Sequence, residues 1–229
     1  GTSGDGLIRY VNGQASYLKK TNGLAENYVS SLYEDREGSI WAGTRDGLTQ
    51  ISDLKFPSAS TTNGPLTMPV HGVCAASNGG IWCATSSGVY NFTANSISFV
   101  ADSTNDNPYV KRAFEARNGD LYVLSGLRDI RILSPDKLIA RYANDQWPTA
   151  LTEDAKSVVV AISPSLYRVS PSEFTPFVFK DPPPQFYWIR NLFTAADGSI
   201  LVASVNGLFR IYEDHVDHWT TNEGIADQD

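Results

Sequence analysis

This sequence predicts an all-β fold built from repeated four-stranded sheets, and three observations carry that prediction. One motif recurs: DREGSIWAGTRDGL at 35–48, ASNGGIWCATSSGV at 76–89 and AADGSILVASVNGL at 195–208, with weaker copies from Arg117 and Glu153. The spacing is regular. Anchored on the apolar residue two places after the turn glycine (Ile40, Ile81, Leu121, Val158, Ile200; the fourth copy lacks that glycine), the steps are 41, 40, 37 and 42 residues. The segments between turns are five to eight residues long and show no 3.6-residue apolar face, which suits strands and not helices. A period near 40 fits a propeller blade or a pair of stacked helices. Strand-length segments decide for the blade, and hence for a β-propeller of four-stranded antiparallel blades.

In chain order, residues 1–20 read as an outer half-blade with strands near 6–11 and 14–19. Gly1-Thr2 matches Gly43-Thr44, so the chain opens at the end of a second strand. A linker, KTNGLAEN (20–27), leads into the first complete blade, about 28–60. Its inner strand is expected near 28–35. The turn Asp35-Arg36-Glu37-Gly38 suits a short hairpin whose glycine takes positive φ. The second strand then falls at 38–44, the third at 47–52 and the fourth after Asp53. Further blades follow at about 69–101, 109–142, 147–180 and 187–220. Pro182-Pro183-Pro184 reads as a stiff linker between blades. TTNEGIADQ (220–228) repeats the first linker, so 221–229 begins the next one. The sum is one propeller domain with five complete blades and an outer half-blade, an incomplete ring. Such an open arc is expected to self-associate through its uncovered blade faces.

Composition narrows the function classes. Among 229 residues, 18 Lys+Arg against 25 Asp+Glu give a net charge of −7. With no basic run, the chain is a poor candidate for nucleic acid or an anionic membrane surface. No apolar stretch reaches the roughly 18 residues of a membrane helix. Two Cys exclude a disulfide scaffold and a four-Cys zinc site. One Met beside 5 Trp, 11 Tyr and 10 Phe suits a β-protein with a packed core.

Residues 23–48 carry Gly23, Leu24, Asn27, Val29, Asp35, Gly38, Trp41, Gly43, Thr44, Gly47 and Leu48. On these the sequence resembles the two-component regulator propeller repeat, with good copies at 73–92 and 189–211. The resemblance implies the extracytoplasmic sensor region of a bacterial hybrid histidine kinase, or sometimes of a diguanylate cyclase. It implies input sensing, often of saccharides, no catalysis by the propeller and no cofactor. The expected location is the periplasm, with any kinase or cyclase module elsewhere in the parent; a homodimeric parent would suit that role.

Two columns could carry the sensing. At the mouth of each inner strand stand Tyr28, Pro69, Tyr109, Trp147 and Trp188; two positions further come Ser30, His71, Lys111, Thr149 and Arg190. Inner strands line a propeller's axis, so these positions are expected to converge. Aromatic faces beside hydroxyls and cations suit a polar ring such as a sugar. The candidate ligand-binding set is Tyr28, Tyr109, Trp147, Trp188, His71, Lys111 and Arg190, for an oligosaccharide or another small polar ligand. The alternatives are a propeller enzyme, lyase or glycosidase, and a protein-docking platform. The enzyme would need carboxylates or several His at the mouth, where the columns supply one His and no acid.

Other features have structural readings. Trp41, Trp82, Tyr122, Val159 and Leu201 share one position, and the two Trp are expected to be largely buried between blades. His215 and Asp217 should face one way on a strand and His218 the other, which defeats a three-ligand metal site. Glu34-Asp35 and Glu153-Asp154 read as turn formers. Aligning the turn at 77–80 with 35–39 sets Cys74 opposite Trp82 and Cys83 on the other face, as two free thiols.

Overall fold

The structure is a computed structural model and describes residues 1–11, 14–36, 38–51, 58–59, 69–93, 96–100, 109–134, 137–179, 184–213 and 215–223. The triple-proline linker and the end of the second linker lie largely outside them. The fold is all-β: five four-stranded antiparallel sheets and one two-stranded hairpin, a β-propeller. The chain divides into two compact units, Gly1–Glu115 with Pro135–Lys137, and Ala116–Ser134 with Leu138–Asp229.

In the first unit, β1 (Leu7–Val11) and β2 (Gln14–Leu18) form the hairpin. A blade of β3 (Val29–Glu34), β4 (Ile40–Thr44), β5 (Gly47–Ile51) and β6 (Ser58–Ala59) follows. The next blade holds β7 (Val70–Ala75), β8 (Ile81–Thr85), β9 (Gly88–Phe92) and β10 (Ile97–Val100). Strand β11 (Val110–Glu115) opens the sheet order β11-β12-β13-β14. In the second unit lie β12 (Leu121–Ser125), β13 (Asp129–Leu133) and β14 (Leu138–Ala143). They precede a blade of β15 (Pro148–Glu153), β16 (Val158–Ile162), β17 (Ser165–Ser170) and β18 (Glu173–Pro176). The last blade is β19 (Ile189–Thr194), β20 (Ile200–Ser204), β21 (Gly207–Tyr212) and β22 (His215–Trp219).

The Thr2 hydroxyl donates to the Gly6 carbonyl at 2.7 Å, just as Thr44 does to Gly47 at 2.7 Å and Thr85 to Gly88 at 2.9 Å. A Cβ on Gly1 would strike the Val29 side chain, and one on Gly43 would strike that of Val70. Residues 1–2 therefore sit against β3 as the end of β4 sits against β7. Both linkers also wind into a 3-10 turn, Lys20–Asn22 and Thr221–Glu223. Among the described residues, no strand extends the β1-β2 sheet.

The hairpin turns follow the sequence. Gly38 takes φ +80°, and the Asp35 carboxylate accepts the Ser39 N–H at 2.8 Å. Asp154 does the same work without a glycine: it accepts Lys156 and Ser157 N–H groups and a two-pronged bond from Arg168. Both acids are turn formers.

Cores lie between sheets. In the first unit Leu48, Val70, Ile81, Cys83 and Phe92 are buried together, with Tyr33 and Trp41 packed on them. In the second, Ala150, Val159 and Leu166 meet Ile189, Ile200, Val202 and Phe209. As expected, Trp41 and Trp82 are largely covered and keep only a minor part of their surface exposed. An indole N–H must keep a partner, and each ring reaches the sheet rim to find one: Trp41 Nε1 donates to Asp35 at 2.7 Å, Trp82 Nε1 to Glu115 at 2.5 Å. Cys74 pairs opposite Trp82, Val73 opposite Cys83, and both thiols are free. Burial pushes the Cys74 thiol up to about 12.

One irregularity recurs and bears on function. The ladder between inner and second strand shifts between Val29 and Ser31, Val70 and Gly72, Pro148 and Ala150, and Ile189 and Asn191. Each is a β-bulge at the second residue of the inner strand. The extra residues are Ser30, His71, Thr149 and Arg190.

Candidate functional site

A bulged residue is left out of the ladder, and its side chain is re-aimed. The second mouth column therefore has a structural basis in the bulge. Lys111 holds the same position of β11. Pairing puts each bulge beside the turn that leaves the second strand, since Val29 opposes Thr44, Val70 opposes Thr85 and Ile189 opposes Ser204. Mouth residues and these turns thus share one end of each blade.

In the first unit, the Arg45 guanidinium from the β4–β5 turn lies 3.8 Å over the Tyr28 ring. Ser30 donates to the Gly43 carbonyl at 3.0 Å and reaches the Val70 carbonyl on the next blade. His71 Nε2 meets the Ser86 hydroxyl at 2.9 Å, and its ring stands 4.7 Å from that of Tyr109. Burial, and then the charge of Lys111, hold the His71 pKa below the ordinary 6.5. Burial likewise lowers that of Lys111. A neutral imidazole, a phenol and an ammonium are therefore gathered on adjacent inner strands.

In the second unit, a cavity of about 230 Å³ is lined by Arg128, Asp145, Gln146, Trp147, Thr149, Ser163 and Trp188. It unites two predicted aromatics with the Thr149 bulge. Trp147 is 37% exposed and Trp188 62%, so both rings face solvent-accessible space. Arg128 lies 5.1 Å over the Trp147 ring, and its Nη1 donates to the Asp145 carbonyl at 2.9 Å. Ser163 Oγ accepts the Ile189 N–H at 2.7 Å and ties the β16–β17 turn to the next blade. Arg190 is exposed on its bulge in β19.

Sequence reading missed Arg45, Ser86, Arg128, Asp145, Gln146 and Ser163. Arg45, Ser86, Arg128 and Ser163 occupy the turn after the second strand, so that turn was the signal to follow. Asp145 also puts a carboxylate at a mouth where the two columns held none.

A second cavity of about 470 Å³ lies by Gln185, Tyr187, Asn206, Phe209, His215 and His218. His215 and Asp217 meet at 3.0 Å, while His218 stacks on Phe209 at 3.9 Å. No metal-binding group of three His, Cys, Asp or Glu occurs among the described residues. No helix of the described residues is long and apolar enough to cross a membrane.

No curated protein matches the sequence. Solved structures do. The extracellular domain of the hybrid two component system BT3049 from B. thetaiotaomicron is 18% identical over 99% of this chain, with a TM-score of 0.81. This chain spans 33% of that domain. An inactive virginiamycin B lyase from Staphylococcus aureus, solved with quinupristin, is 14% identical, over 95% of this chain and 77% of the lyase, with a TM-score of 0.74. The extracellular domain of the one component system BT4673, also from B. thetaiotaomicron, is 16% identical over 83% of this chain and 33% of its own length, with a TM-score of 0.52. These likenesses establish the propeller fold. Residues 23–46, one repeat of this β-propeller, match the family model for the two component regulator propeller.

Proposed function

We propose that this propeller is the ligand-sensing, non-catalytic part of a signal-transduction protein, exposed to the periplasm, and that its mouth receives a saccharide or a similar polar ring. The observation that carries this reading is the cavity between Trp147 and Trp188. It offers two apolar ring faces beside Arg128, Asp145, Gln146 and Thr149, the combination that binds one face of a sugar by stacking and its hydroxyls by hydrogen bonds. The repeat at 23–46 and the fold shared with extracellular domains of two-component systems support the signalling role. The same mouth holds different chemistry in each blade on one backbone plan, which suits recognition more than a fixed reaction.

The test is calorimetric titration of the protein with a broad oligosaccharide panel, repeated on Trp147→Ala with Trp188→Ala. Binding by the parent chain and its loss in the double variant, at an unchanged circular dichroism spectrum, are expected. A sugar converted to product during overnight incubation would overturn the non-catalytic reading. A panel with no binder would overturn the saccharide.

A further inference from the structure

Arg128 stands apart from its neighbours. In the second unit Arg117, Arg131, Arg141, Arg168 and Arg210 all sit on carboxylates: Glu153, Asp129 (twice), Asp154 and Asp197. Arg128 does not. It spends one N–H on the Asp145 backbone carbonyl and rests on Trp147. Among the described residues no carboxylate pairs with it, although Asp145 lines the same cavity. The guanidinium is thus positioned by a carbonyl and an aromatic face, with its remaining donors unspent. Such a planar fork matches the two oxygens of a carboxylate or sulfate.

A second observation is independent of charge. Three described non-glycine residues have positive φ: Arg128 (+62°), Trp188 (+45°) and Glu213 (+50°). Two of the three line this one cavity. A left-handed backbone is costly for bulky side chains, and such strain gathers at ligand clamps. Here it aims a cation and an indole into the same space.

Building on the sensor reading above, we propose that the cavity is a subsite for an anionic ring. The Trp147 and Trp188 faces would hold a six-membered sugar ring, and the Arg128 fork would receive an oxyanion borne on it, a carboxylate or a sulfate ester. Asp145 and Gln146 take the ring hydroxyls. The volume of about 230 Å³ suits one ring and not a chain, so neighbouring sugars of a longer ligand extend outside it.

The test titrates the protein with galacturonate, galactose 6-sulfate, galactose and inorganic sulfate, following tryptophan emission and heat. The charged sugars should bind at least about tenfold tighter than galactose, the scale of a charge-assisted hydrogen bond, and Arg128→Gln should abolish the difference. Whichever charged sugar binds tighter identifies the oxyanion. Equal binding of galactose and both charged sugars would overturn the anionic subsite while leaving the sensor reading intact. Sulfate binding as tightly as the charged sugars would overturn the ring-holding part. Failure of every sugar here overturns the subsite, whereas the broad panel above tests the sensor separately. The comparison of ligands on the unaltered chain keeps the proposal falsifiable should Arg128→Gln not fold.

Discussion

Truncating Trp41 tests the blade packing at its most informative point. The ring lies on the buried cluster of Leu48, Val70, Ile81, Cys83 and Phe92, and its Nε1 donates to Asp35 at 2.7 Å. Removing a large core aromatic costs about 3–5 kcal/mol. Trp41 keeps a minor part of its surface exposed, so Trp41→Ala should cost about 3 kcal/mol, the lower end of that range. Trp41→Phe keeps most of the apolar contact and deletes the N–H, which should cost about 1 kcal/mol. Asp35 also accepts the Ser39 N–H, so Asp35→Ala alone loosens the turn as well. A double-mutant cycle between the two positions removes that complication, and the coupling should be about 1 kcal/mol. Urea unfolding followed by far-ultraviolet circular dichroism measures all four proteins without relying on the deleted fluorophore. A Trp41→Ala protein as stable as the parent would refute the interblade role of this column, and a coupling near zero would refute the Trp41–Asp35 hydrogen bond.

Gly43→Ala should destabilise by about 1–3 kcal/mol, as overpacking does. Its Cβ would strike Ser31 Oγ and lie 2.9 Å from Val70 Cγ1, and the same denaturation assay reads it. The Asp154 carboxylate is held below its ordinary 3.8 by Arg168 and the turn N–H groups, against the opposing effect of burial. Its contribution is therefore complete above that value and fades as pH falls through the lowered one. Acid unfolding midpoints should show the parent losing its advantage over Asp154→Asn in that range, with the two differing by about 1 kcal/mol at pH 7. A difference that grows as pH falls would contradict the assignment.

The sequence disclosed whatever depends on local chemistry. The glycine at 38 announced its positive φ, and the second strand expected at 38–44 ends where β4 does, at Thr44. Aligning two turns placed Cys74 opposite Trp82. What stayed hidden depends on contacts between distant segments. Glu115 reaches back from β11 to Ser77 and Trp82, and nothing in either local sequence requires it. Arg128 escaped notice because its turn is longer than that of Arg45 and breaks the repeat alignment. Position in the strand told that Trp41 and Trp82 are largely covered, but not that their indole N–H groups find Asp35 and Glu115. The bulges at Ser30, His71, Thr149 and Arg190 were visible only as a column of unlike residues. Such a column reads as noise until the register is known.

That column explains how a repetitive scaffold can carry a specific site. The residue before each bulge is buried and belongs to the scaffold: Val29, Val70, Pro148 and Ile189. The bulged residue one step later is out of the ladder. Its side chain neither sets register nor fills the interblade core. A hydroxyl, an imidazole and a guanidinium can therefore occupy one backbone position without disturbing the fold. The following residue resumes pairing, so any change is confined to a single position per blade. Packing fixes where each group sits, and the bulge leaves open which group it is. Recognition is then assembled from one variable residue per inner strand together with the turn beside it, as Thr149 works with Arg128 and Ser163 around the tryptophan cavity.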